Sequence, residues 1–204
     1  IKIRHLGFVE ISFFIFRLPN IRLLLCFAVL AVLPFNLSLY GKTLLVDAFA
    51  YGVLAMSLDF VLGYGGMISF GHACYYGIGA YTVILALIWY QIPICFSFPL
   101  ALTLAGLYGL LVGFFSARLG GFYFAMTTLA FSEVIHRWFM YTSPDIGAPY
   151  GSFIFGRWLD PLHYYYFALA LLFGSYLVLR RIINSPFGKV LVATGLNEER
   201  MMFI

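Results

Sequence analysis

Between Gly121 and Tyr141 an otherwise apolar run carries Thr128, Ser132, Glu133, His136 and Arg137. Thr128, Ser132 and His136 recur every four residues, so a helix puts them on one face. Glu133 precedes Arg137 in the favourable i, i+4 order for an ion pair. An ionised group facing hydrocarbon costs several kcal/mol or more, so this stripe is expected to face water or the interior of a helix bundle. Counted from Gly121, Glu133 stands about 18 Å along the helix, somewhat past the middle of a bilayer. One reading makes Thr128, Ser132 and Glu133 the polar wall of a translocation path. The other makes Glu133 and Arg137 an internal pair that fixes packing. Asp47 and Asp59 lie nearer the ends of their own segment and read as interfacial.

A second stretch, Gly63-Tyr64-Gly65-Gly66-Met67-Ile68-Ser69-Phe70-Gly71-His72, places four glycines within nine residues. Such a run makes a poor helix. Free backbone polar groups at membrane depth are tolerated only where protein or a water-filled cavity satisfies them. Two readings stay open. The stretch is a broken or re-entrant segment in which Gly63, Gly65, Gly66, Ser69, Gly71 and His72 border a path, or it is a cytoplasmic turn. Gly77 and Gly79, just beyond it, favour a close backbone approach in the helix that follows.

Other chemistry finds little support. Glu133 and His136, three apart, would share a metal ion only with further ligands, and there is no second Glu-x-x-His. Cys-x-x-Cys, His-Glu-x-x-His, Gly-x-x-x-x-Gly-Lys and Gly-x-Ser-x-Gly are all absent from the sequence. No metal site is expected, nor catalysis or ATP hydrolysis by this chain alone. Cys26, Cys74 and Cys95 fall inside apolar runs and form no disulfide framework.

The elements that must position these residues follow from composition. Of 204 residues 63% are hydrophobic, with 12 Lys or Arg against 8 Asp or Glu, and the mean hydropathy is +0.98. Soluble domains carry about a quarter charged residues, against 10% here. That excludes a soluble enzyme, a disordered chain and a nucleic-acid binder. Crossing the hydrocarbon takes about 20 apolar residues, and six such spans are predicted, near 23–41, 43–62, 73–91, 94–117, 121–141 and 162–179. No charge occurs from Phe60 to Ala117, where Gln91 and Pro93 divide two spans. The fourth span sets Ala101, Ala105, Gly109, Gly113 and Ala117 on one face, as in close helix packing or in a helix that slides on its neighbour. The predicted fold class is all-α: a polytopic transmembrane helix bundle forming one domain over 1–204, with a glycine-rich broken or re-entrant segment.

Basic residues orient the bundle. With the N-terminus in the cytoplasm, Lys2, Arg4, Arg17, Arg22, Arg118, Arg180, Arg181, Lys189 and Arg200 lie inside, and only Lys42 and Arg157 lie in outside loops. This is the positive-inside pattern. Residues 1–21 form a cytoplasmic segment: the apolar stretch Ile11 to Phe16 is too short for a signal peptide, and an amphipathic surface helix fits it. Thr142 to Pro161, rich in Pro and Gly, reads as an outer cap facing a partner or an entry mouth. His163-Tyr164-Tyr165-Tyr166 reads as an interfacial aromatic anchor. A start at Ile1 and a stop at Ile204 just after a polar loop suggest a piece of a longer membrane protein.

Three stretches in order carry a resemblance: Leu62 to Ala73, with Ser69-Phe70-Gly71-His72-Ala73; Gly121 to Glu133; and Asn184-Ser185-Pro186-Phe187-Gly188-Lys189. Together they resemble the permease subunits of bacterial branched-chain amino acid ABC importers, of the LivM type, from about Leu44 onward. The resemblance implies a chain of the bacterial inner membrane that pairs with a second permease subunit, of the LivH type. It also implies two cytoplasmic ATPase subunits, which use the ATP, and a periplasmic binding protein that delivers leucine, isoleucine or valine. Residues 184–200 are similar to the family's cytoplasmic coupling segment, with Ser185, Pro186, Phe187, Gly188, Lys189, Glu198 and Glu199 as the implied coupling residues. Ser185-Pro186 suits a helix start, whereas Gly195 weakens that helix by up to about 1 kcal/mol relative to alanine. In place of the Thr-Gly-Gly run that the family usually carries after the fifth span stands Thr142-Ser143-Pro144-Asp145-Ile146-Gly147. The solute therefore stays open between a branched-chain amino acid and urea, a short amide or another small polar solute. An intramembrane enzyme built on Glu133 and His136, and a gated channel, are the rivals from other classes.

Overall fold

A computed structural model describes residues 20–35, 37–116, 118–142 and 160–196. Every regular element among them is helical, which bears out the all-α class. The helices are α1 (Asn20–Val32), α2 (Leu39–Asp59), α3 (His72–Ile88), α4 (Ile94–Ser116), α5 (Gly121–Thr142), α6 (Pro161–Asn184) and α7 (Pro186–Leu196). Each of the six predicted spans finds its helix in α1 to α6. Three stretches are long and apolar enough to cross a membrane, namely Leu39–Tyr64, Ile94–Ser116 and Pro161–Asn184, and Leu25–Phe35 and His72–Ile88 are shorter apolar helices. Outside the described residues lie the amphipathic N-terminal segment, Ala117 of the small-residue stripe, the outer cap over 143–159, and Glu198 with Glu199.

The chain divides into two compact units. One holds the described residues up to Gly66 and from Asp160 onward; the other holds those from Met67 to Thr142. In the first, α1 gives way to a short 3-10 turn, Leu33–Phe35, because proline cannot continue the helix. The first span thus ends earlier than the predicted residue 41, and Leu39 to Gly41 open α2 instead. Ser38 starts α2, its side-chain oxygen accepting from the Gly41 amide at 3.3 Å, an N-cap.

Pro34 has no N–H to offer the Leu30 carbonyl four residues back. The Tyr165 hydroxyl donates to that carbonyl at 2.7 Å, and the Tyr166 hydroxyl donates to Ala31 at 3.0 Å. Tyr165 is 0% exposed and packs with Val46, Phe49 and Leu169; its ring meets Phe49 edge-on at 5.3 Å. The predicted interfacial anchor is therefore corrected at Tyr165, which is a core residue that caps α1. A bond of this kind contributes about 1 kcal/mol.

In the second unit α3 and α4 pack through Val83, Leu87, Ala101 and Ile94. Gln91, with φ 50, makes the left-handed turn between them. Cys74, Ile78 and Phe139 form a further cluster that joins α5, with Ala105 and Tyr108 against it, and Tyr81 stacks on Phe139 at 4.4 Å. The small-residue stripe of α4 serves close packing in its first part: Ala101 is buried, and Gly109 leaves room for the Tyr75 ring edge at 3.6 Å. Gly113 has nothing within 4 Å, and neither do Gly77 and Gly79. The close approach expected at Gly77 and Gly79 is thus absent among the described residues.

Candidate functional site

The glycine-rich stretch is irregular, as its composition predicts. The end of α2 widens into a π turn, Phe60–Tyr64, that includes Gly63. Gly65 donates its amide to the Phe60 carbonyl at 3.2 Å and Gly66 to Leu62 at 3.2 Å. Gly66 has φ +68, a conformation that L side chains avoid, and it closes the helix as a glycine C-terminal cap does. No helix forms over 66–71. Tyr64 is buried with Tyr176, and Leu191 and Val192 of α7 pack against the pair.

The second unit receives the rest of the stretch. Ser69 is half-buried before α3. Gly71 caps the start of α3, and a Cβ there would overlap the Thr128 carbonyl oxygen and stand 2.9 Å from its carbon. Only glycine lets the start of α3 approach the backbone of α5 this closely. The His72 ring lies edge-on to Tyr75 at 5.7 Å, and Tyr75 lies 6.0 Å from Tyr108. The Tyr108 hydroxyl donates to the Phe131 carbonyl at 2.8 Å. The Cys74 thiol is within hydrogen-bonding reach of Ser132 and Tyr108. Thr128 is buried and donates within its own helix to Ala125 at 2.9 Å. Gly71, His72, Thr128 and Ser132 are therefore brought into one polar neighbourhood of the second unit. Cys74, Tyr75 and Tyr108 complete it and escaped the sequence reading, since all three sit in apolar runs. The available signal was Tyr108 beside Gly109 in a small-residue stripe.

Glu133 goes elsewhere. Arg137 Nε donates to Glu133 Oε1 at 2.8 Å, with the side chains 78% and 53% exposed. His136 is exposed as well. The polar stripe of α5 is split: Thr128 and Ser132 turn inward within this unit, while the ion pair sits on the outer surface of the chain. Among the described residues no three His, Cys, Asp or Glu side chains come together as metal ligands do.

The implied coupling segment is an elbow between α6 and α7, and its residues explain the turn. Ser185 Oγ donates to the Ile182 carbonyl at 2.6 Å and accepts from the Gly188 amide at 3.2 Å. Pro186 follows at the first helical position, where its missing N–H costs nothing. A Cβ at Gly188 would overlap the carbonyl oxygens of Ile182 and Ile183, so glycine is what lets α7 fold back on the end of α6. One face of α7 carries Gly188, Leu191, Val192 and Gly195; the opposite face exposes Lys189, with Phe187 at 65% and Val190 at 53%.

The model of the family described as the permease component of branched-chain amino acid transport systems matches residues 42–204, through the glycine stretch, α5 and the elbow. The chain belongs to this family. It is similar to the high-affinity branched-chain amino acid transport system permease protein LivM of Escherichia coli (strain K12), 28% identical over 197 aligned positions that cover 81% of this chain and 46% of that protein. It is likewise 28% identical to the protein of the same name from Salmonella typhimurium (strain LT2), over 186 positions covering 76% of this chain and 44% of that protein. The chain thus spans somewhat less than half the length of the curated relatives it matches. No solved structure matches it significantly. A permease of this family with several apolar helices is a multi-pass membrane protein.

Proposed function

We propose that this chain is a transmembrane permease subunit of an ABC importer that moves leucine, isoleucine or valine inward by alternating access in the bacterial inner membrane, with its N-terminus in the cytoplasm. The observation that carries this reading is the family match running unbroken through the glycine stretch and the elbow helix. ATP is used by two separate ATPase subunits, and this chain holds no cofactor. A second permease subunit completes the membrane part, and a periplasmic binding protein delivers the solute. The face of α7 that exposes Phe187, Lys189 and Val190 suits a cleft in an ATPase partner, and Glu198 and Glu199 follow it in sequence.

Within the second unit the solute path is assigned to Ser69, Gly71, His72, Thr128 and Ser132; the sequence pattern adds Gly63, Gly65 and Gly66 of the glycine stretch, and Glu133, which on this chain is exposed beside Arg137. Backbone groups left outside helices can hold the charged ends of a zwitterion, and Phe and Tyr side chains accept an aliphatic body. The test is uptake of labelled leucine into proteoliposomes that contain the full-length permease and its partners. ATP-dependent uptake should be inhibited by isoleucine and valine. Inhibition by urea or acetamide instead would move the assignment to a small polar solute, and flux without ATP would make the protein a channel. Within that assay Glu133→Gln and Gly71→Leu should each lower uptake; normal uptake in both, at normal membrane levels, removes the site assignment.

A further inference from the structure

At the far end of α7 glycine meets glycine. A Cβ on Gly195 would lie 2.9 Å from the Tyr64 carbonyl oxygen and 3.1 Å from the Gly65 carbonyl carbon. A Cβ on Gly66 would lie 3.2 Å from both the Cα and the carbonyl oxygen of Gly195. Backbone therefore rests on backbone where the π turn of α2 ends and the glycine-rich stretch begins. As part of a solvated helix, a glycine in the last turn of α7 has only a cost, since alanine is the better helix former. The contact supplies the reason for it. Side chains change rotamer and absorb small displacements; two abutting backbones have no such slack. The π turn is also the kind of local widening frequently found at functional positions.

We propose that Gly195, Gly65 and Gly66 form a seat through which α7 positions the end of α2, so that a displacement of α7 is handed to the glycine-rich stretch. All three act as positioning residues for transport. The inference rests on the importer reading and deepens it: the elbow is tied to the stretch that borders the path by a direct backbone contact.

The experiment uses the full-length permease assembled with its partners, with ATP hydrolysis and leucine uptake measured in parallel. Gly195→Ala should keep co-purification with the ATPase yet lower uptake per ATP hydrolysed by at least about fivefold, within the usual range of coupling effects, and Gly195→Val should lower it further. An ordinary solvated helix would keep or improve its performance with alanine, so wild-type coupling in both variants overturns the seat. A second measurement needs no transport: in native membranes the pair Gly65→Cys with Gly195→Cys should form an oxidant-dependent cross-link that the single variants lack. Absence of that bridge also overturns the proposal. If the wild type shows no ATP-dependent uptake, the importer reading fails while the bridge still judges the seat. If the wild type transports and Gly195→Val matches it, the seat alone fails.

Discussion

Two groups of glycines among the described residues behave differently. Gly66, Gly71, Gly188 and Gly195 stand at helix ends, and each gives room to the backbone of another segment. Gly77, Gly79, Gly106 and Gly113 lie inside α3 and α4, and a side-chain carbon at any of them would meet nothing within 4 Å. Close approach to another segment's backbone is thus found where helices start and stop. Helix ends leave carbonyl and amide groups without intrahelical partners, and a neighbour can reach them only where no Cβ stands in the way. Glycine inside a helix gives no such access unless a second helix already lies on that face.

This contrast is sharpest at Gly188. Gly188→Val should open the elbow, because its Cβ would occupy the carbonyls of Ile182 and Ile183; a loss of about 3 kcal/mol is expected, read as a lower thermal midpoint of the detergent-purified chain. Wild-type stability there would break the comparison at its strongest point. Gly71→Ala comes next, at about 1–2 kcal/mol, because one carbon must be fitted against the Thr128 backbone; the same thermal assay reads it. The smallest effect, opposite in sign, belongs to Gly77→Ala and Gly113→Ala. With no atom to displace, each should be neutral or stabilising by up to about 1 kcal/mol. A clear loss at either would mean that a neighbour covers that face, and the division into two groups would fail.

Hydropathy located a helix at each of the six predicted spans, three of them long and apolar enough to cross a membrane, because the demand for about 20 apolar residues per crossing is a property of the segment alone. Pro34 marked the end of α1, yet the predicted span ran past it, since hydropathy does not register a missing N–H. Which face of a span meets protein was far less legible. Lipid tails are as apolar as leucine, so the sequence of a membrane helix carries little contrast between a packed face and a lipid face. Tyr165 shows this: its place at a span's start suggested the interface, but the structure buries it against α1. The four-residue spacing of Thr128, Ser132 and His136 was sound as geometry, but it did not reveal that the stripe divides between a buried and an exposed side. Ser185-Pro186 was the most legible pair, because a helix start is local; the need for glycine at Gly188 shows only in the structure. Gly195 was read only as a weakness of its helix, since its partners, Tyr64 and Gly65, lie more than a hundred residues earlier in the sequence.

The Tyr165 hydroxyl has a consequence for biogenesis. The carbonyl it serves, on Leu30, is 135 residues upstream, so a ribosome delivers the acceptor long before the donor exists. At membrane depth no water would be there to fill in. Until the helix that carries Tyr165 leaves the translocon the Leu30 carbonyl lacks this donor, and a nascent chain halted before residue 165 should hold the segment around Leu30 in an immature setting.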